Sequence, residues 1–313
     1  MTDPWSRRAV LGALSGAAVS LGALRSAEAQ AVKWSSGTER PKTKAPRLAT
    51  DCHHHIYDAR FPADPKATLR PGDATVADYR ALQARIGTSR NVVVQPSTYG
   101  IDNRLLVDAL HQFGKRARGV AVVNADVTDA ELKKLNHAGV RGIRFNLAQQ
   151  GATTVEMVEP LAKRIAPMGW HIQVNAPATT ILAAQDIWGR VPCQVVFDHL
   201  AHVPEPDGIQ HPVFGMVSGL LQQRKAWVKL SGAYADTKVG PPSYADSTAV
   251  TIAYVKAAPE RLVWGSDWPH PTERDDNKPD DALLFDLLAT WAPDIKLRTR
   301  ILVDNPGKLY FFA

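Results

Sequence analysis

Two histidines near the start of the 313-residue chain, His53 and His55, and one carboxylate near its end, Asp267, are of the types and spacing that could do chemistry. On a β-strand, residues two apart face the same way, so His53 and His55 can share one side while His54 faces the other. Two imidazoles on one face can bind a metal or donate hydrogen bonds to a single oxygen. Asp51 and Asp58 flank them. Asp267 lies in Trp264-Gly265-Ser266-Asp267-Trp268-Pro269-His270-Pro271. A carboxylate there can ligate a metal or act as base for a water, and the apolar Trp and Pro collar is expected to raise its proton affinity. His199 follows Asp198 at the end of another apolar run.

These residues need elements that bring them together. From Leu48 onward, short apolar runs alternate with longer amphipathic ones, the pattern of βα units and a parallel sheet. Eight strands are expected: Leu48–His55, Asn91–Gln95, Gly119–Asn124, Val140–Asn146, His171–Asn175, Gln194–Asp198, Trp227–Leu230 and Arg261–Ser266. Helices are expected over Thr75–Ile86, Asn103–Phe113, Glu156–Met168, Pro212–Gln223, Ser243–Ala257, Asp280–Trp291 and Ile295–Val303. Eight such units predict an α/β fold, a (β/α)8 TIM barrel, with its chemistry at the C-terminal ends of the strands. Polar residues gather at those ends: Gln95-Pro96-Ser97, Asn124, Arg144-Phe145-Asn146, Gln173-Val174-Asn175, Asp198-His199, Ser231 and Ser266-Asp267.

Composition sets limits. The chain is 45% hydrophobic and 22% charged, an ordinary globular balance, and its net charge is +6. Lys and Arg are scattered, without basic runs or interleaved aromatics, which argues against a nucleic-acid partner. A mild positive field suits small anionic substrates. Residues 1–29 read as a targeting segment. Ser6-Arg7-Arg8-Ala9-Val10-Leu11 opens an apolar stretch from Ala9 to Leu24, and Ala27-Glu28-Ala29 offers small residues for a signal peptidase. The arginine pair resembles a twin-arginine (Tat) signal, so the expected partner is the Tat export machinery and the expected destination the periplasm, without a stable membrane anchor. Residues 30–47 are polar and Pro-containing and read as a flexible arm before a barrel domain at 48–313. Cys52 and Cys193 adjoin apolar runs and read as buried free thiols.

Several motifs together resemble the amidohydrolase superfamily: Asp51-Cys52-His53-His54-His55, Asp198-His199 and Gly265-Ser266-Asp267-Trp268-Pro269-His270. Within it the chain is similar to the group of 2-pyrone-4,6-dicarboxylate lactonases, 4-sulfomuconolactone hydrolases and galactarolactone isomerases. Further matches are Gln95-Pro96-Ser97 with Gly100, Asp102 and Asn103, the run Gly139 to Asn146, and Lys229-Leu230-Ser231-Gly232. The resemblance implies a lactone or ester hydrolase with Asp267, His53, His55 and His199 as catalytic residues. Arg144, Ser97 and Asn146 are expected to grip a substrate carboxylate or sulfonate. Gln95, Asn175, His202, His270 and Tyr99 are further expected contacts, with Tyr57, Tyr234 and Lys238 as loop candidates. A two-metal site would need a bridging Lys or Glu on strand 4 and histidines on strands 5 and 6. Strand 4 ends in Arg144 and Asn146 and strand 5 in Gln173 and Asn175. The expectation is therefore no obligatory metal, with a single zinc on His53, His55 and Asp267, joined by His199, as the alternative. His202 stands where pyrone-dicarboxylate members often carry arginine, and Ala233-Tyr234-Ala235 adds none, which argues against a dicarboxylated pyrone as substrate. A lactone isomerase, a zinc decarboxylase and a non-catalytic periplasmic binding protein are the competing readings.

Overall fold

The computed structural model describes Met1, residues 31–149 and residues 151–312. The expected targeting segment, residues 1–29, is, apart from Met1, outside the described residues. Eight strands form one sheet in sequential order: β1 Thr50–His54, β2 Arg90–Val94, β3 Ala117–Ala121, β4 Val140–Asn146, β5 His171–Asn175, β6 Val195–Phe197, β7 Ala226–Leu230 and β8 Leu262–Trp264. Every neighbouring pair is parallel. The seam closes through His55 N–H donating to Trp268 O and Asp267 N–H donating to His53 O, each at 2.8 Å. The expected eight-stranded barrel is thus the observed one. Its strands are mostly shorter at their ends than the apolar runs, because those ends leave the ladder to carry polar side chains.

The barrel interior is layered. Cys52, Val92, Val94, Val120, Val196, Trp227 and Val263 pack within it, and Leu309 and Tyr310 of the last helix plug the bottom. The register of β1 against β2 shifts between Asp51 and His54, a bulge that inserts one residue. Cys52 therefore packs in the interior cluster while His53 joins the site above it. Outside, the helices bury apolar faces on the strands. Helix α1, Val76–Ile86, starts at Thr75, whose side chain caps Asp78 N–H while Asp78 returns the bond. It buries Val76, Tyr79, Leu82 and Ile86, each such side chain worth about 1.5–3 kcal/mol if fully buried. His54 stacks on Tyr79 with ring centroids 3.5 Å apart, so this imidazole belongs to the helix interface, as its parity predicts.

Helices α2 Arg104–Phe113, α3 Asp129–Ala138, α4 Val158–Ile165, α5 Ala178–Ala183, α6 Gln185–Arg190, α7 Pro212–Gln222, α8 Ala245–Ala257 and α9 Asp281–Trp291 follow, and Ile295–Tyr310 completes the chain in short helical pieces. Sequence reasoning passes over α3, α5 and α6. Helix α3 buries only Leu132 and Leu135, too few for a periodic signal; Thr128, which caps it, and Gly139 behind it are the signs that mark it. None of the described helices is long and apolar enough to cross a membrane.

The polar arm is held rather than loose. Arg85 donates to Glu39 O, Ser36 O and Ser35 Oγ and pairs with Asp280 at 2.7 Å. Asp286 accepts from the backbone of Lys42 and Thr43. Trp268 Nε1 donates to Lys33 O at 2.8 Å. Low hydrophobicity reads as flexibility, but here the backbone amides and carbonyls find partners on the barrel.

Candidate active site

The catalytic candidates meet at the C-terminal mouth of the barrel. Asp267 Oδ1 lies 3.4 Å from His53 Nε2, 3.6 Å from His55 Nε2 and 3.8 Å from His199 Nε2. The two Nε2 atoms of His53 and His55 are 3.3 Å apart. The far nitrogen of each ring is tied back: His55 Nδ1 to Val94 O at 2.8 Å, His199 Nδ1 to Ser231 Oγ at 3.0 Å, and His53 Nδ1 at 3.2 Å from Asp198 Oδ1. His55 Nδ1 must donate to the carbonyl, which turns its Nε2 toward Asp267. Tyr234 O–H donates to Asp267 Oδ2 at 2.5 Å.

Local backbone geometry serves this convergence. His199 (φ 48°) and Asp267 (φ 65°) both adopt left-handed conformations, which cost about 1–2 kcal/mol for residues with a Cβ and are typical of functional positions. Gly265 is required by close approach: a Cβ there would lie 2.5 Å from His53 Cβ and 2.8 Å from His53 N. Gly232 has φ +62°, and a Cβ on it would lie 2.8 Å from His199 Nδ1.

Beneath the imidazoles is a charged layer that the sequence does not announce. Asp198, fully buried, lies 3.4 Å from Arg144 Nε and 3.5 Å from Lys229 Nζ and accepts from Gln173 Nε2 at 3.0 Å. Lys229 Nζ donates to Gln173 Oε1 at 2.7 Å and lies 3.3 Å from His53 Nδ1. Lys229 and Gln173 occur in the sequence as inward-parity residues of apolar strands. A lysine at such a position is the signal that could have found them, since buried lysines are paired.

Burial opposes the charge on Asp198, but His53, Lys229 and Arg144 outweigh it and hold its carboxyl well below the usual range. Burial and Lys229 push His53 well below the ordinary imidazole value. His53 is therefore neutral at pH 7, and the positive charges that face Asp198 are those of Lys229 and Arg144. Burial likewise lowers Lys229, against the attraction of Asp198, and lowers His199 to about 4. Asp267 corrects an expectation. Burial does raise its proton affinity, as an apolar collar should. His199, a hydrogen bond from His55, and His53 overcome it, and the carboxyl sits well below the ordinary value.

Above the group lies a cavity of about 160 Å³ whose walls include Arg144, Ser97, Asn146, Asn175, His202, Tyr57 and Tyr234. It shares Leu69, Ser97 and Gln149 with a neighbouring cavity of about 210 Å³. A larger hollow of about 550 Å³ lies between Ile101, Val107 and Val127, but no histidine lines it, whereas His55, His199 and Asp267 line the smaller one. Four expected substrate contacts do not line the cavity beside Asp267. Gln95 is buried and donates to Asp102 O. Tyr99 O–H meets the Asp58 backbone. His270 is fully buried between Tyr234 and Asp281, so it supports Tyr234 from behind. Lys238 lies in a loop whose backbone N–H donates to Asp246. The Gln95, Tyr99 and His270 side chains are taken up by contacts within the protein, whereas Lys238 is exposed, away from the cavity walls. Arg141 turns outward to Asn136, and Cys52 and Cys193 are free thiols, the second only partly buried.

His53, His55 and Asp267 fit a single divalent cation. Their ligand atoms are 3.3–3.6 Å apart, close to the edge of about 3.3 Å that a tetrahedron with bonds of ~2.0–2.1 Å requires. All three belong to one buried group of potential ligands, and the Nδ1 contacts to Val94 O and Asp198 are outer partners of the kind that orient metal-binding imidazoles. The two-metal arrangement lacks its ligands, as expected: strand 5 carries only His171, buried low in the barrel near Tyr310.

A parallel eight-stranded barrel with histidines on its first strand and an aspartate after its last defines a hydrolase-type barrel whose chemistry is carried at the strand ends. The chain belongs to the amidohydrolase family, whose sequence profile matches residues 50–312. It is 35% identical to a 2-pyrone-4,6-dicarboxylate hydrolase of Comamonas testosteroni, over 89% of this chain and 95% of that protein. It is 34% identical to a 4-sulfomuconolactone hydrolase of Rhizobium radiobacter, over 85% and 90%. Among solved structures, a probable 2-pyrone-4,6-dicarboxylic acid hydrolase of Acinetobacter baumannii with citric acid bound superposes with a TM-score of 0.76 at 25% identity, covering 85% of this chain and all of that one.

Proposed function

We propose that this protein hydrolyses a small anionic lactone or a related ester. The observation that carries the reading is Asp267 Oδ1 within 3.4–3.8 Å of three imidazole Nε2 atoms, beside a cavity walled by Arg144. Both relatives are named for substrates that bear a carboxylate or sulfo group. Arg144 and Ser97 hold the substrate's anionic group, charge against charge. Asp267, kept ionised by its surroundings, takes a proton from a water. The water oxygen bonds to the lactone carbonyl carbon, the acyl–oxygen bond breaks, and the ring oxygen leaves as a hydroxyl with the proton that Asp267 took from the water, which returns Asp267 to its carboxylate; the product is a hydroxy acid. Imidazole donors facing the carbonyl oxygen hold the developing negative charge, each worth about 2.7–4 kcal/mol in such sites. When bound at His53, His55 and Asp267, a cation would polarise the carbonyl and favour ionisation of the water.

The test is a panel of anionic lactones and esters assayed with and without chelator, in 18O-labelled water. The expected result is label in a new carboxylate, and Asp267→Asn slower by about 10²–10⁴-fold with an unchanged melting temperature. Near-normal turnover of Asp267→Asn would remove it as the base, and an unlabelled rearranged lactone would make the protein an isomerase. Calorimetric titration of the metal-free protein with zinc is expected to show one equivalent bound, and weaker binding in His55→Ala. For the precursor we propose Tat-dependent export to the periplasm, resting on Arg7-Arg8 before the weakly apolar stretch and Ala27-Glu28-Ala29. Arg7→Lys with Arg8→Lys should retain the protein in the cytoplasmic fraction, and continued export of that variant would rule the route out.

A further inference from the structure

The cavity beside Asp267 measures about 160 Å³, less than the roughly 300–1,000 Å³ of sites that take small organic ligands. It does not end at its own walls. Leu69 and Ser97 also line the neighbouring cavity of about 210 Å³, and the two joined reach that range. Ile101 and Asn124 in turn line both that cavity and the hollow of about 550 Å³ beyond it. The three spaces form one corridor over the loops after β1, β2 and β3. Its inner end carries Arg144, and its outer walls carry Leu69, Ile101, Val107, Val123 and Val127.

Ile101 is the ridge between the two outer spaces and is 47% exposed. Ile209, Val239, Ile295 and Phe311 are also exposed, but none of them borders the corridor. A single exposed isoleucine is ordinary; this one is held out. The buried Asn103 Nδ2 donates to Ile101 O at 3.0 Å and to Val122 O at 2.8 Å, and its Oδ1 accepts from Val122 N–H at 3.0 Å. The buried Gln95 Nε2 donates to Asp102 O at 2.7 Å. Two buried amides thus tie down the carbonyls of residues 101 and 102, and the Ile101 side chain cannot turn under the loop. Across the corridor, Thr98 Oγ1 donates to Leu69 O at 2.7 Å and Asp64 N–H donates to Thr98 O at 2.8 Å. Both apolar walls are fixed before a ligand arrives, so binding there pays little for ordering them. Charge along the outer corridor nearly cancels. Asp102 pairs with Arg104, Glu131 with Lys134, and Asp64 stands beside Lys66, whose N–H it accepts at 2.8 Å. Asp126 is left over, so a second anionic group finds no field to draw it there.

We propose that the substrate is an anionic lactone or ester with a neutral, apolar appendage, its charged head at Arg144 and its chain running past Leu69 and over Ile101 toward Val127. Ile101 is then a specificity-determining residue, and Gln95 and Asn103 serve the substrate by holding the ridge rather than by touching it. The chemistry of the head rests on the lactone-hydrolase reading; the apolar subsite does not.

Carboxylated lactones that differ only in one n-alkyl branch, from methyl to heptyl, read the subsite through turnover. kcat/KM should rise about two- to fourfold for each CH2 that the corridor buries. Ile101→Asp should cut the heptyl member about tenfold or more beyond its effect on the methyl member, with Ile101→Ala between. A flat series, or equal losses along it, overturns the proposal. Calorimetric titration with butyrate and octanoate reads the subsite without turnover. Octanoate should bind about tenfold or more tightly than butyrate, and Ile101→Asp should remove the difference. Equal affinities, or no binding of octanoate at millimolar concentration, overturn the proposal. So does a dimer, seen by sedimentation, that Ile101→Asp splits, because the ridge then belongs to a second copy of the chain. A protein that opens no lactone yet binds octanoate through Ile101 sinks the hydrolase reading and leaves the subsite standing.

Discussion

At the scale of single residues, the site stands on a charge that the protein has to hold without water. Asp198 is fully buried with Lys229 beneath it and Arg144 beside it, and the same lysine touches the ring of His53. Removing one member of a buried pair leaves the other uncompensated, at about 3–5 kcal/mol. Lys229→Met is therefore expected to lower unfolding stability by about 3 kcal/mol or more. Adding Asp198→Asn should recover part of that loss, because the orphaned charge goes too. Denaturant unfolding of the two single variants and the double one measures it; a double variant weaker than Lys229→Met would show that Asp198 is not held by charge. In the sequence Lys229 stands out only as part of the Lys229-Leu230-Ser231-Gly232 motif. Its role was illegible there because parity says which way a side chain points, not what lies above it.

At the scale of elements, the first and last strands hold each other by backbone. His53 O accepts from Asp267 N–H, Trp268 O accepts from His55 N–H, and Asp51 accepts from Ser266 N–H at 2.9 Å and from Ser266 O–H at 2.6 Å. Burial of Asp51 pushes its carboxyl up to about 6, against the donors of Ser266. Gly265 lets β8 run against His53 with nothing between. Gly265→Ala would meet the backbone of β1, which cannot yield as the tip of a flexible side chain can. It is expected to cost about 1–3 kcal/mol of stability and to displace His53, so that turnover falls about 10²-fold or more. Thermal melts and kcat on one preparation check both effects, and unchanged activity would mean that the seam is looser than the backbone bonds imply. The G-S-D motif is readable in sequence as chemistry. That its glycine exists for β1 is readable only once the seam has closed.

For the whole molecule, the buried imidazoles away from the site set the response to acid. Burial lowers both His54 and His171 from 6.5 to about 3. In the unfolded chain each takes up a proton near pH 6.5, while the folded chain keeps each neutral. Stability is therefore intact above that value and is lost as pH falls from 6.5 toward 3, by about 2 kcal/mol per residue at pH 5. His171 is the cleaner probe: neither ring nitrogen has a hydrogen-bond partner, and it sits below the chemistry. His171→Leu should fold and should lose about 2 kcal/mol less than the unsubstituted protein between pH 7 and pH 5. Equilibrium unfolding at the two values measures the difference, and parallel losses would refute it.

What the sequence determined by itself was the alternation of apolar runs, hence the barrel, and the parity of His53 and His55 against His54. Those follow from local periodicity, which needs no knowledge of neighbours. It also determined that polar residues collect at one end of every strand, which located the site. The tertiary structure alone decided which of them meet. Gln95, Tyr99 and His270 stand at or near strand ends yet are spent on loop and helix contacts, because a side chain's partners depend on chain segments far away in sequence. The proton affinity of Asp267 was decided the same way. A collar of Trp and Pro raises it, three imidazoles brought from β1 and from the end of β6 lower it, and only the closed barrel sets the two against each other.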